Sequence, residues 1–485
     1  MSGSSKLRKT ALAVFLCGFY VYFLRFTAGG LTSFFSDDDL MNLHYYWMRP
    51  WTYTLRANLL FFIDSPRPMG GLYYKAIYAI WGFQPVPYRV ADLVLLTLNL
   101  ALLFLIVRLL ARSTEAGALA LLLTGLNESF VLAYYDTGMV YDVLAFFFLF
   151  GTFYYYLRIR QSGRLLDVRQ TAIFLALFIA AMNSKEVSAS LPVAILLYEL
   201  LWNPPRQAWA PQVWEWVKGP ARVALISGAA LAVNLVGKLL GADSMMKQGA
   251  YHPELHASLF LTNYAVYLRQ LTLDFARPTA SGVFGILLAM LAIGCIFRRR
   301  HLIFAAIMIN VSFLPLAFIP PRAGFALYVP SLYWSLWFAG ALVGIRKLLM
   351  YLLTRWLPRA AWLEFPTQAA LCLVVAYLVV PLNAKMFGYV FPGIHEVQSR
   401  NKIADQQIHQ CLPTIPHNSK ILIVNDPYDP QINGYDLHFM IRESYDDPTL
   451  LIHRTKHLKT LGVEPNPKDF NIFLDYSDNR FHLMK

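Results

Sequence analysis

Charge is what this sequence has least of. Asp, Glu, Lys and Arg make up 15% of its 485 residues, against about 25% in a soluble globular chain. Hydrophobic residues make up 57%. So few charges cannot cover a water-facing surface of this size, so lipid must cover much of it. A disordered or fibrous chain is excluded on the same grounds. Cysteine is scarce as well. Cys17, Cys295 and Cys372 fall inside apolar runs, and Cys411 lies alone in the polar C-terminal part. No pair is placed to build a disulfide framework, and no Cys/His spacing reads as a zinc site. Repeats of 20–50 residues and low-complexity tracts are lacking. Acids are scarcer than bases, 29 against 42, which leaves a net charge of +13. In a soluble protein that surplus suggests nucleic acid, and in a membrane protein it marks cytoplasmic loops. The placement of the positive charges decides between them.

What the chain does have is long apolar runs. The first extends from Ala11 to about Ala28 behind a basic start. It is too long and too aromatic for a signal peptide and ends without a small-x-small cleavage site, so it is read as a retained span. Further runs of spanning length centre near 90–108, 117–134, 139–157, 170–183, 187–202, 221–240, 282–297, 302–319, 325–345 and 366–384, about eleven in all. With the N-terminus cytoplasmic, the inner connections hold Arg108 and Arg112; Arg158, Arg160, Arg164 and Arg169; Arg206, Lys218 and Arg222; Arg298, Arg299 and Arg300; and Arg346, Lys347, Arg355 and Arg359. Every inner connection is basic, as the positive-inside rule requires. The surplus is therefore topological, and nucleic acid drops out as a partner. An odd number of spans puts the C-terminus outside. Residues 1–393 read as the membrane domain, with long outer loops at 31–86 and 241–282. Residues 394–485 read as a small extracytoplasmic α/β domain with β-like runs at 421–424, 450–453 and 471–474.

The outer segments carry the unusual chemistry. Asp37, Asp38 and Asp39 follow directly on the first span. Adjacent carboxylates repel one another. They read either as a solvated helix start behind Ser36, or as a general base or metal ligand at the water–lipid boundary. Asp136 before Thr137-Gly138, Lys185-Glu186, Arg322 ahead of Tyr328-Val329-Pro330, and Arg67-Pro68 also fall on the outer face. Each has an ordinary reading as a turn residue or a local ion pair. Together they are functional candidates, because ionisable groups against a membrane are costly. The bases would hold a phosphate or diphosphate, the acids would serve a hydroxyl nucleophile or a metal, and the aromatics would suit a long-chain lipid. Transfer from a lipid phosphate at the outer face is the leading reading. A lipid-linked oligosaccharide polymerase or ligase, and a transporter or flippase of a lipid-linked or anionic solute, are the alternatives.

Four short elements in this order carry a family likeness: Ser36-Asp37-Asp38-Asp39, Arg67-Pro68, Ser184-Lys185-Glu186 before a Pro-containing apolar run, and Arg322 followed by Tyr328-Val329-Pro330-Ser331. Over roughly residues 10–345 the chain resembles the GT-C class of polytopic glycosyltransferases that use polyprenyl-phosphate-linked sugars, bacterial members of the protein O-mannosyltransferase and aminoarabinose-transferase type above all. The resemblance implies a glycosyltransferase of the bacterial inner membrane, hexosyl or pentosyl, with its C-terminal domain periplasmic. It implies Asp38 as catalytic base, Asp37 next, and Asp136 as a second acid. It implies phosphate or substrate contacts at Arg67, Lys185, Glu186, Arg322 and Tyr328. Some relatives use a divalent metal such as Mg, Mn or Zn, and Asp37, Asp38, Asp136 and His44 would be its ligands. The donor would be a sugar on polyprenyl phosphate, and the acceptor a protein, lipid or polysaccharide. Three consecutive aspartates and a C-terminal domain without helical repeats depart from the family pattern.

Overall fold

The computed structural model describes residues 2–62, 67–205, 210–240, 252–272, 274, 276–322, 324–429 and 435–484. The helices in chain order are α1 (Ser2–Thr27), α2 (Asp38–Trp47), α3 (Trp51–Leu59), α4 (Pro68–Trp81), α5 (Pro85–Ala111), α6 (Thr114–Gly125), α7 (Val131–Tyr135), α8 (Val140–Gln161), α9 (Val168–Met182) and α10 (Leu191–Trp202). They continue as α11 (Ala210–Lys218), α12 (Arg222–Leu240), α13 (Ala257–Leu271), α14 (Ala280–Ile296), α15 (Arg300–Ala317), α16 (Ser331–Trp356), α17 (Glu364–Cys411), α18 (Asp436–Ser444) and α19 (Thr455–Thr460). Among the described residues, seven helical stretches are long and apolar enough to cross a membrane. Thr114–Gly125, Val168–Ser184 and Ala280–Ile296 are shorter apolar helices. The chain is an integral membrane protein.

Each of the eleven apolar runs contains helix, but several are not single uninterrupted helices. The run at 117–134 stops at Gly125 and resumes as the short α7. Asn127 makes the break by accepting the Ser129 amide on Oδ1 at 2.9 Å, a side-chain bond that competes with the helix ladder. The run at 187–202 begins as a tight turn over Glu186–Ser190 before α10 starts at Leu191, with Pro192 in its first turn. Irregular backbone at membrane depth needs protein partners. Here it gathers at the end of the bundle that bears residues 31–86, called the loop face below.

At the opposite end two ion clusters tie helices together. Arg160 grips Glu199 at 2.7 Å and 2.8 Å, with Tyr156 and Asn203 on the same carboxylate. Arg346 bridges Glu115 and Glu364. These arginines therefore also join helices, beyond the topological role read from sequence.

The first long connection folds as α2, α3 and α4. Pro68 starts α4 behind Arg67, whose φ of 48° turns the chain sharply. After α16, helix α17 runs 48 residues with Pro381 and Pro392 inside it, so the composition change at residue 394 falls within a helix. Beyond it, β1 (Lys420–Val424), β2 (Leu451–Arg454), β3 (Ile472–Ser477) and β4 (Arg480–Met484) form one sheet in the order β2-β1-β3-β4. β1 pairs in parallel with β2 and with β3, and β3 pairs antiparallel with β4. The three runs of β-branched and aromatic residues noted in the sequence are β1, β2 and β3.

The core comes in two parts. One fills the helix bundle. The other, at the loop face, joins Leu40, Leu43 and Tyr46 of α2 and Tyr74 of α4 to Ala404 and Ile408 of α17, Ile421 and Ile423 of β1, and Leu437 and Met440 of α18. The first loop and the C-terminal region share this second core.

Candidate active site at the loop face

The three aspartates have different surroundings. Asp39 is fully buried. Its carboxylate accepts from Arg89 at 2.8 Å, from the Gly138 amide at 2.8 Å, from the Ser36 amide at 3.3 Å and from the Thr137 hydroxyl. It ties α2 to α5 and to the turn after Asp136. Every lone pair is engaged, so Asp39 is a structural acid. Asp37 has φ 40° and ψ −110°, a conformation a non-glycine residue holds only when its surroundings force it. Asp38 opens α2. Burial pushes its carboxyl up, the Asp39 and Asp37 charges add to that, and Arg67 and Arg322 oppose it. A partly buried carboxyl raised in this way and faced by two guanidinium groups suits a proton acceptor.

Asp136 caps the turn Thr137–Met139, accepting the Gly138 amide on Oδ1 at 2.7 Å. Burial and then the Asp39 charge push its carboxyl well up, against Arg89. A Cβ built on Gly138 would lie 2.6 Å from Asp38 Cβ and 2.8 Å from Asp136 Oδ1. Only glycine lets the two acidic turns approach so closely.

The bases form a ladder interleaved with acids. Arg67 grips Glu186 with two nitrogens, at 3.0 Å and 3.4 Å, and lies 5.4 Å from the Tyr141 ring. Lys238 approaches the same carboxylate at 3.5 Å. Lys185 pairs with Asp142 and lies 5.5 Å from the Phe325 ring. Burial alone would raise Glu186, but Arg67 and Lys238 overcome it and hold the carboxylate well below its ordinary range. The Arg67 charge acts on Asp38 on one side and on Lys185 on the other. Acid turn and cation ladder are thus one electrostatic unit.

Residues 64–232 match the family model described as dolichyl-phosphate-mannose-protein mannosyltransferase. The structure is similar to that of ArnT from Cupriavidus metallidurans in the apo state, with a TM-score of 0.52 at 15% identity over 96% of this chain and 94% of that one. A second structure of ArnT from the same organism, bound to undecaprenyl phosphate, aligns with a TM-score of 0.48 at 14% identity over 97% of this chain and 93% of that one. No curated protein matches the chain. The fold is the GT-C glycosyltransferase fold.

On this GT-C fold the structure brings Asp37, Asp38, Asp136, Arg67, Lys185, Glu186 and Arg322 to one face. Three of the expected residues have surroundings that bear on their roles. Tyr328 is fully buried in the helix bundle, its ring 5.3 Å from Phe130 and 4.9 Å from Phe146. Glu186 is an anion held between two cations, so it orients Arg67 and Lys238, whereas direct contact would repel a phosphate. His44 lies six residues beyond Asp38 on α2, on another side of the helix. It stacks on Phe439 at 4.4 Å with its Nδ1 3.3 Å from Glu443. The metal set Asp37, Asp38, Asp136 and His44 therefore does not fit. Among the described residues no three His, Cys, Asp or Glu side chains gather as a metal site requires.

Two residues of this candidate site escaped the sequence reading. Asp142 is an acid in the first turn of an apolar helix, and that position was itself the signal. Lys238 looked isolated near the end of a span, and only the fold places it beside Glu186. Of the second long loop, residues 241–251 lie outside the described residues. Residues Ala257–Leu271 of the same loop form α13, and positions 273 and 275 lie outside the described residues. Within the segment at 252–256, the Glu254 amide donates to the Phe318 carbonyl at 2.7 Å.

Proposed function

We propose that this protein transfers a sugar from a polyprenyl-phosphate carrier to an acceptor hydroxyl, in one inverting displacement at the anomeric carbon. The observation that carries this is Asp38, raised by burial and faced by Arg67 and Arg322 at the end of a membrane bundle. The matched family description names a lipid-phosphate sugar donor, and the match over residues 64–232 contains Arg67, Asp136, Asp142, Lys185 and Glu186.

Asp38 takes the proton of the acceptor hydroxyl as the oxygen attacks. The acceptor oxygen–carbon bond forms while the bond from the anomeric carbon to the phosphate oxygen breaks. The carrier leaves as a phosphate monoester dianion. Such a leaving group needs little protonation, so cations suffice, and Arg67, Arg322 and Lys185 supply them. Glu186 keeps Arg67 and Lys238 in place, and Asp142 does the same for Lys185. Asp136 shapes the turn that backs Asp38. The basic connections support a cytoplasmic opposite end of the bundle. The loop face and residues 394–485 are then periplasmic, in a bacterial inner membrane.

Asp38→Asn and Arg322→Ala are expected to lower sugar transfer from polyprenyl-phosphate donors in membranes about a hundredfold or more, with normal insertion. Full activity in both variants rules out this site. Vesicles that accumulate solute, with no sugar moved from any lipid donor, assign the chain to transport.

A further inference from the structure

The acid turn is held from outside the membrane bundle. Asp37 has a strained backbone. Part of the restraint is local: the Ser36 amide donates to the Asp39 carboxylate, and the Asp39 amide donates to the Ser36 carbonyl. A second restraint comes from α17 and α18. Asn401, on the part of α17 that runs beyond the bundle, is fully buried. Its amide nitrogen donates to the Phe35 carbonyl at 3.0 Å and to Asp436 Oδ2 at 2.9 Å. Phe35 lies two residues before Asp37, and its buried ring is wedged 4.8 Å from Phe83 and 5.3 Å from Tyr88. Asp436, the first residue of α18, is also fully buried. Its carboxyl is pushed up to about 6 by burial, drawn down by the Asn401 amide, raised by the Asp37 charge, and drawn down again by the Asp37 backbone N–H and by Arg400. Asn401 therefore meets the backbone of the acid turn at Phe35, and Asp436 holds the Asn401 amide in place. The neighbouring Tyr435 reports the same closeness: its phenol is pushed up by burial and then by Asp38 and Asp37.

We propose that Asn401 and Asp436 are positioning residues, through which the C-terminal region clamps the Phe35–Asp37 backbone and so sets the direction in which Asp38 points. The inference rests on the reading of Asp38 as proton acceptor, but the clamp itself is a property of the fold. Neither residue touches the substrate, and both act through the turn. The consequence is specific. The donor cations Arg67, Lys185 and Arg322 lie on other elements, so loosening the clamp spoils the angle of the base and leaves donor binding intact.

Two readouts on the full-length protein in nanodiscs test this. The first is hydrogen exchange of the backbone amides over residues 36–41. In Asp436→Ala and Asn401→Ala, exchange is expected to rise about tenfold, the change that corresponds to losing roughly one buried hydrogen bond. Asn401→Asp keeps the size of the side chain but turns a donor into an anion facing the Phe35 carbonyl and Asp436, so it tests the clamp without a packing defect. The same rise is expected there. Asp436→Asn retains a carbonyl acceptor and is expected to restore slow exchange. His417→Ala, at an exposed site on the same domain, is the control and is expected to change nothing. The second readout is kinetic, with kcat falling at least about tenfold in the three clamp variants and KM for the polyprenyl-phosphate sugar unchanged. Unchanged exchange over residues 36–41 in Asn401→Asp overturns the clamp, whatever the activity. A wild-type protein that moves no sugar overturns the transferase reading instead, and the exchange result still decides the clamp.

Discussion

Asp39 accepts from Arg89, Thr137, Gly138 and Ser36, and none of these contacts is open to solvent. Removing it leaves the buried Arg89 guanidinium without its carboxylate. Breaking one side of a buried pair costs about 3–5 kcal/mol. Asp39→Ala is therefore expected to lower the melting temperature sharply in detergent, whereas Asp38→Asn leaves melting unchanged and removes activity. Equal melting of the two variants would show that the roles of these neighbours are misassigned. Gly138 gives a second residue-scale prediction. A methyl group there must displace either Asp38 Cβ or the Asp136 carboxylate, and the adjoining backbone is fixed by Asp39. Gly138→Ala is expected to reduce kcat about tenfold or more while the protein stays inserted, and a single-turnover measurement checks it. A glycine-to-alanine change with full turnover would mean that the two acidic turns do not need this approach.

At the scale of elements, α2 and α18 meet where His44 stacks on Phe439 and faces Glu443, with His438 alongside. Burial, followed by the His438 and Arg442 charges, lowers the His44 imidazole to about 4. Burial and then Arg442 lower His438 to about 4. Burial raises the Glu443 carboxyl well above its ordinary value. A free imidazole titrates near about 6.5. The His44 contribution to stability is therefore fully present above about pH 6.5 and lost as the pH falls towards 4. Glu443 shifts in the opposite sense and mutes the total, so the difference between wild type and His44→Phe isolates the imidazole. That difference in melting temperature is expected to shrink steadily from pH 7 to pH 4. A constant difference would mean that His44 is not buried against α18. This contact also shows what the sequence could tell. The apolar runs and the three β-runs carry strong periodic or compositional signals, and helix or strand forms at each. The α2–α18 contact joins residues about 400 positions apart, and no local pattern announces it. The passage of α17 through residue 394 was illegible for a related reason, since a helix that leaves lipid for a protein surface changes composition without ending. Asp37, Asp38, Asp136, Arg67, Lys185 and Arg322 were legible because charge is rare in this chain. Asp142 carried a signal in its place at the start of an apolar helix, but Lys238 did not, because it reads as a stray charge until the fold supplies its partner.

The whole molecule is divided by composition but not by packing. The core at the loop face takes Leu40, Leu43 and Tyr46 from the first loop and Ile421, Ile423, Leu437 and Met440 from the C-terminal region. Burying each such side chain contributes about 1.5–3 kcal/mol, so neither part keeps its share alone. The polar contacts run the same way. Trp47 and Tyr78 of the first loop both donate to Asp446, at 3.0 Å and 2.9 Å, and Gln398 of α17 donates to the Tyr135 carbonyl at 2.7 Å. A chain stopped after Cys411 retains every group proposed for donor binding and every acid of the site, yet it loses half of the core beneath α2. Such a chain is expected to insert, to be cleaved by added protease within residues 31–62, and to transfer no sugar. The isolated segment 412–485, lacking Leu40, Leu43 and Tyr46 to cover its sheet and α18, is expected to show no cooperative melting. If the truncated chain resists protease and still transfers sugar, the two regions are independent domains in the sense that composition first suggested. If both halves fail apart, the acid turn is a product of the assembled molecule, and its chemistry depends on residues almost 400 positions downstream.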